Sequence, residues 1–168
     1  PLAQDRYPFL THELERRAIS IIAEILAEKD KIDPTRLKDE DSLRQKYEIL
    51  ADRAMRTNGY RIYSTIDNNI YDAHQKIKDE FKNFGPTLKK KRTSPETGEV
   101  EEVDAPVQVG SVLMENSTGR ILSFIGGRDY HLEAQNHATQ SYRQNGSTMK
   151  PLLVYGPAIE YGVIGAGS

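Results

Sequence analysis

Arg143-Gln144-Asn145-Gly146-Ser147-Thr148-Met149-Lys150-Pro151 carries Ser-x-x-Lys at its centre. If a helix starts at Ser147, Lys150 comes one turn later on the same face, because positions three apart are neighbours on a helix. The hydroxyl and the amine then meet. A serine is a poor nucleophile until a base within reach takes its proton. A lysine serves as that base only when neutral, which burial or a nearby cation favours. The free N–H groups and positive dipole end of the helix start favour negative charge developing beside Ser147, whose own N–H becomes an oxyanion donor. Gly146 lets the chain turn into the helix and leaves room for a substrate carbonyl, with Asn145 as its neighbour at the site. Pro151 falls where few amide hydrogens have intrahelical partners, so it costs little. On four residues alone, a helix capped by Ser147 with Lys150 on its wet side is the simpler reading. The surrounding stretch changes that balance.

Upstream, the chain runs Gly126-Gly127-Arg128-Asp129-Tyr130, then Asn136-His137-Ala138-Thr139-Gln140, then Arg143-Gln144 and Gly146-Ser147. This succession resembles the start of the transpeptidase domain of class A penicillin-binding proteins, the bifunctional enzymes of peptidoglycan synthesis. The family usually has Arg where His137 stands and often Pro where Asn145 stands; neither departure touches Ser147 or Lys150. Gly59-Tyr60-Arg61-Ile62-Tyr63-Ser64-Thr65-Ile66-Asp67 is similar to the linker strand that joins glycosyltransferase and transpeptidase domains in the same family. The resemblance therefore runs from about Gly59 onward, with only the order of helices agreeing before it.

What the resemblance implies is an α+β chain with the penicillin-binding, β-lactamase-like serine transpeptidase fold, an antiparallel sheet with helices on both faces. Only its N-terminal part is expected here. Residues 1–58 would be a helical region after the glycosyltransferase domain, 59–106 a linker strand, helix and charged loop, and 107–168 the start of the transpeptidase domain. The implied activity is acyl transfer: Ser147 attacks a peptidyl-D-alanyl-D-alanine stem, D-alanine leaves, and an amine of a neighbouring stem resolves the acyl-enzyme into a cell-wall cross-link. β-Lactams would acylate Ser147. The family is membrane-anchored outside the cytoplasm, so an anchor is expected only in the full-length protein.

The bulk composition excludes several alternatives. A chain of 168 residues at net charge −2 shows no basic surface that calls for nucleic acid. With no cysteine there is no disulfide scaffold and no thiolate metal site. His12, His74, His131 and His137 lack metal-ligand spacing, and a Ser-His reading at His137 lacks a singled-out carboxylate. Neither a metal nor a cofactor is expected. No apolar run approaches the ~18 residues of a membrane span.

In chain order, residues 1–29 carry a helical pattern, with Leu10, Leu14, Ala18, Ile21, Ile22, Ile25 and Leu26 on one stripe and Glu13, Arg16, Arg17, Glu24 and Glu28 opposite. Asp33-Pro34 reads as an N-cap with Pro at the first helical position. Leu43, Tyr47, Leu50, Ala51 and Ala54 mark another helix, stopped at Asn58-Gly59. Tyr60 to Ile66 reads as a strand. Asp67 is placed to cap a helix with Ile70, Ala73, Ile77, Phe81 and Phe84 as its apolar face, ended by Gly85-Pro86. Lys89 to Arg92, the turn Pro95-Glu96-Thr97-Gly98 and the acids Glu99 to Asp104 read as a solvated hairpin or mobile loop. Val107–Met114 and Arg120–Ile125 make a second hairpin about Glu115–Gly119. Arg128 and Asp129 read as a local ion pair. Leu152, Leu153, Tyr155 and Ile159 are expected to bury the Ser147 helix.

Enzymes of this chemistry complete the site with Ser-x-Asn and Lys-Thr-Gly, and neither occurs between Lys150 and Ser168. The expectation is a nicked or truncated enzyme, with a second chain or C-terminal fragment that carries both. Three rivals remain open at this point: a β-lactamase, a β-lactam sensor, and an inert interaction fragment of the same enzyme.

Overall fold

The structure, a computed structural model, describes residues 6–94 and 97–167. The first five residues of the N-terminal helical pattern, the turn at Pro95-Glu96 and the chain end at Ser168 lie outside the described residues.

Helix α1 spans Pro8–Lys29 and begins with proline, whose missing N–H costs nothing at a helix start. It ends with Lys31 at φ +60°, where the Lys31 N–H donates to Glu28 O and the Ile32 N–H to Ala27 O, both at 2.9 Å. That is a left-handed C-terminal cap made without glycine. Helix α2 is the short Arg36–Asp39. Asp33 caps the turn before it, accepting from Thr35 N at 2.9 Å and Thr35 Oγ1 at 2.8 Å, so the helix begins two residues beyond Pro34 rather than at it. Helix α3, Asp41–Thr57, stops at Asn58 and at Gly59, which turns at φ +66°.

Ile22, Ala23 and Ala27 of α1 pack with Leu37 of α2 and Tyr47, Ala51 and Ala54 of α3 in one core. The alanines let the helix axes approach closely, and Tyr47, buried to the tip of its ring, donates its hydroxyl to Asp30 Oδ2 at 2.7 Å. On α1 the stripe read from sequence is only partly the buried one. Ala18 and Ile22 are buried, but Ile21 and Ile25 are exposed, and Glu13, assigned to the wet side, is only 6% exposed.

The Tyr60–Ile66 segment forms no strand. Its end is tied to the second hairpin by Thr65 Oγ1, which donates to Ile121 O at 2.6 Å, and by the Asp67 N–H, which donates to Leu122 O at 3.0 Å. Helix α4, Asn68–Glu80, is capped as its sequence predicts: Asp67 accepts from the N–H groups of Asn69 and Ile70. Its buried face, however, is not the apolar stripe. Ile77 and Phe81 are exposed, and the helix ends five residues before Gly85. Tyr71, His74, Gln75 and Lys78 face inward instead. Tyr71 meets Phe124 edge-to-face, His74 Nδ1 lies 2.9 Å from Ser123 Oγ, and Gln75 and Lys78 donate to the carbonyls of Phe124 and Arg128. Burial pushes the Tyr71 phenol up to about 12.

Among the described residues there are two two-stranded antiparallel sheets, so the chain mixes helix and strand in the α+β manner. Strand β1, Leu88–Thr93, pairs with β2, Val100–Ala105, in a register that sets Lys89 opposite Asp104, Lys91 opposite Glu102 and Arg92 opposite Glu101. The charge blocks thus form a hairpin stabilised by cross-strand attraction. Strand β3, Ser111–Met114, pairs with β4, Ile121–Ile125, with an irregularity between Leu113 and Met114. Phe124 joins Phe9 and Tyr71 in a second core, flanked by Tyr7, Leu10, Ile66, Tyr130 and Ala138. Helix α1 therefore contributes to both cores, Phe9 near its start and Ala27 near its end.

Candidate acyl-serine site

Beyond β4, Gly126 and Gly127 pass directly under Phe9. A Cβ on Gly126 would stand 2.7 Å from Phe9 Cγ, and one on Gly127 2.8 Å from Phe9 Cζ, so glycine is required for close approach. Arg128 and Asp129 form no ion pair with each other. Arg128 lies over the Phe84 ring at 4.3 Å and Asp129 accepts from the His131 N–H at 2.8 Å, so each holds the loop separately.

Residues 136–141 fold into a hydrogen-bonded knot. Asn136 O accepts from Gln140 N at 2.7 Å, Gln140 Oε1 accepts from Asn136 N at 2.9 Å, and Asn136 Oδ1 accepts from Ala138 N at 3.0 Å. The His137 N–H donates to Gly126 O at 2.6 Å. Its ring Nδ1 lies 3.0 Å from Ser141 Oγ, and Nε2 lies 3.5 Å from Glu133 Oε1 without hydrogen-bond geometry. Thr139 Oγ1 donates to Glu13 Oε2 at 3.0 Å. Arg16 and Arg17 grip the other side of that carboxylate, with Arg17 Nε at 2.6 Å and Arg16 Nη2 at 2.8 Å. Burial alone would push the Glu13 carboxyl up; the hydrogen bonds from Arg16, Arg17 and Thr139 outweigh it and hold the group below its ordinary value.

Gly146 enters the next element at φ +50°, a conformation that favours glycine. Gly146–Met149 is a 3₁₀ turn, Pro151–Tyr155 widens to π pitch, and α5, Gly156–Glu160, closes the stretch as a short α-helix. The 3₁₀ pitch stacks residues three apart, and the Lys150 N–H donates to Ser147 O, so Ser147 and Lys150 sit on one side of this turn. Their side chains make no hydrogen bond to each other among the described residues, and both are open to solvent. Asn145 O accepts from both the N–H (3.1 Å) and the hydroxyl of Thr148, which fixes the turn before the serine.

The expected apolar cover is absent from this chain's own packing: Leu152 and Leu153 are 70% and 67% exposed, and Val154, Tyr155 and Ile159 are exposed as well. A cleft of about 450 Å³ lies elsewhere, between α1 (Leu10, Leu14, Ile21) and the 60–66 segment, and neither Ser147 nor Lys150 lines it. Among the described residues no cluster of three potential metal ligands occurs.

Sequence reasoning brought Asn145, Gly146, Ser147 and Lys150 into view and missed Glu13, whose only signal was its position three and four residues before Arg16 and Arg17.

No family model matches the chain. It is 30% identical over 118 residues to penicillin-binding protein 1A of Clostridium perfringens, an alignment covering 70% of this chain and 17% of that protein. It is 36% identical over 117 residues to penicillin-binding protein 2a of Streptococcus pneumoniae, 67% of this chain and 14% of that one. Penicillin-binding protein 4 of Bacillus subtilis is 46% identical over 56 residues, 33% of this chain and 9% of its own length. The chain thus spans about a sixth of the length of the first of these curated relatives.

Proposed function

We propose that this chain, which belongs with penicillin-binding proteins 1A and 2a and corresponds to a stretch of a class A enzyme, carries the acylated serine of a peptidoglycan D,D-transpeptidase. The observation that supports it most is the turn at Gly146–Lys150. There a glycine at positive φ delivers an exposed serine, and a lysine follows on the same side, linked to it by the Lys150 N–H···O=C Ser147 bond.

In this reading Lys150 takes the Ser147 hydroxyl proton while Oγ bonds to the penultimate D-alanyl carbonyl. The Ser147 N–H stabilises the oxyanion. The C–N bond to the terminal D-alanine then breaks, and the proton passes to the leaving amine. An amine of a second stem peptide resolves the acyl-enzyme and closes the cross-link. A β-lactam follows the first half of this path and stops at the acyl-enzyme.

The same proposal extends to the rest of the protein. Residues 1–58, 59–106 and 107–168 would be the helical region, the linker and the opening of a β-lactamase-like transpeptidase domain. A further segment bearing Ser-x-Asn and Lys-Thr-Gly would cover Leu152, Leu153 and Tyr155, which exposed apolar side chains on the serine-bearing stretch favour. An extracytoplasmic site, a membrane anchor and a glycosyltransferase half in the full-length protein complete the reading.

The test is to treat the full-length protein with a fluorescent penicillin and locate the label by peptide mass spectrometry. Label on the peptide containing Ser147, lost in Ser147→Ala, is expected. A folded protein labelled elsewhere, or not at all, sinks the proposal; rapid turnover of the label points to a β-lactamase instead.

A further inference from the structure

The knot at 136–141 is the last point before Ser147 that is tied to distant parts of the molecule; the described hydrogen bonds of residues 142–164 are all local. Ala138 packs against the second core, and three further contacts hold that knot in place. His137 N donates to Gly126 O, and Gly110 packs so tightly on the other side that a Cβ there would lie 2.7 Å from His137 O. The third contact is the Thr139 hydroxyl on Glu13, spanning 126 positions of sequence. Of these three it is the one that reaches a helix.

A carboxylate as buried as Glu13 needs its charge compensated, and two arginines on α1 supply that. Held ionised, Glu13 remains an acceptor for Thr139 and cannot become a competing donor. The helix that carries it is anchored at its far end against α2 and α3 through Ile22, Ala23 and Ala27. Helix α1 thus acts as a fixed post, and Thr139 is the peg that registers the approach to Ser147 against it.

We infer that Glu13 and Thr139 are positioning residues for the Ser147 nucleophile, acting through the 136–141 knot. The inference rests on the acyl-serine reading above. Neither residue touches substrate. What the contact sets is the path by which the five residues between Ser141 and Ser147 deliver the serine, and small displacements of a nucleophile reduce rate steeply.

The experiment uses the full-length protein with Thr139→Val, which keeps the shape and deletes the hydroxyl, Thr139→Ser, which restores it, and Glu13→Gln. Ala51→Gly, in the distant helical core, controls for simple loss of stability. Two quantities are read: the rate constant for acylation of Ser147 by a fluorescent penicillin, and the rate of tryptic cleavage after the exposed Arg143. Thr139→Val is expected to acylate about tenfold more slowly and to be cleaved faster after Arg143. Thr139→Ser should return both to within about twofold of the parent, Glu13→Gln should slow acylation less than Thr139→Val, and Ala51→Gly should lower the melting temperature without changing either rate.

Unchanged acylation and cleavage in Thr139→Val overturns the inference, as does a slowdown that Ala51→Gly reproduces at equal loss of stability. A parent protein that takes no label on Ser147 fails differently. It removes the acyl-serine reading and the positioning role with it, while faster cleavage in Thr139→Val would then report only a structural tie.

Discussion

Gly126→Ala is the substitution whose cost the structure defines most closely. The added methyl would lie 2.7 Å from both Cγ and Cδ1 of Phe9 and 3.1 Å from Asn136 Cγ. Non-bonded carbons rest at about 3.5–4.0 Å, so the overlap with the ring is roughly 1 Å. Phe9 cannot swing clear, because it is buried, meets Tyr130 edge-to-face at 5.0 Å and shares a core with Tyr71 and Phe124. Overpacking of this kind costs about 1–3 kcal/mol. At roughly 2–4 °C per kcal/mol for a chain of this size, the melting temperature should fall by about 2–12 °C. Circular dichroism during thermal and urea unfolding is the suitable assay, since the chain has no tryptophan. The decisive control is the double variant with Phe9→Leu, which trims the ring that the methyl strikes. If the clash is the cause, the double variant should be more stable than the sum of the singles by about 1 kcal/mol or more. Additive effects, or a Gly126→Ala protein within about 0.5 kcal/mol of the parent, would refute the reading that the Phe9 ring leaves no room for a Cβ at Gly126.

Two further outcomes follow from single residues. Lys31 sits at φ +60° at the end of α1, a conformation that costs a side chain about 1 kcal/mol, so Lys31→Gly should raise the melting temperature by roughly 2–4 °C; no rise would mean that its side chain compensates through contacts of its own. The depressed Glu13 carboxyl binds protons less readily folded than unfolded, so its contribution is complete above the ordinary glutamate pKa of about 4.3 and is lost as pH falls through the lower folded value. Glu13→Gln should therefore flatten the acid limb of the stability profile below pH ~4.3, measured by urea unfolding at stepped pH, and an unchanged limb would contradict the buried ionised state.

How much of this was legible depends on whether the residue's role is periodic or local. Asp67 is readable because a cap is a local event: an acid before a helical run has amide hydrogens within reach, and the structure gives it two. Gly146 and Gly59 are readable for the same reason, since positive φ leaves its mark in the residue type. The faces of α1 and α4 were misread because a stripe counts apolar residues and assumes that charge points to water. Glu13 escapes that assumption by bringing two arginines with it. On α4, Gln75 and Lys78 escape it by giving their donors to carbonyls at and beyond β4, which lets polar side chains satisfy backbone groups while Ile77 stays outside.

Near Ser147 the same division holds. The serine, the lysine three residues on and the glycine before them form a pattern of fixed spacing. The knot that precedes them is built from Asn136, Thr139 and Gln140 bonding to whichever backbone or carboxylate group the fold brings near, and such bonds have no spacing to read. That is why a reading confined to the motif stops at Ser147 and Lys150. The groups that hold the motif in place lie up to 126 positions away from one another, on elements whose neighbourhood only the folded chain defines.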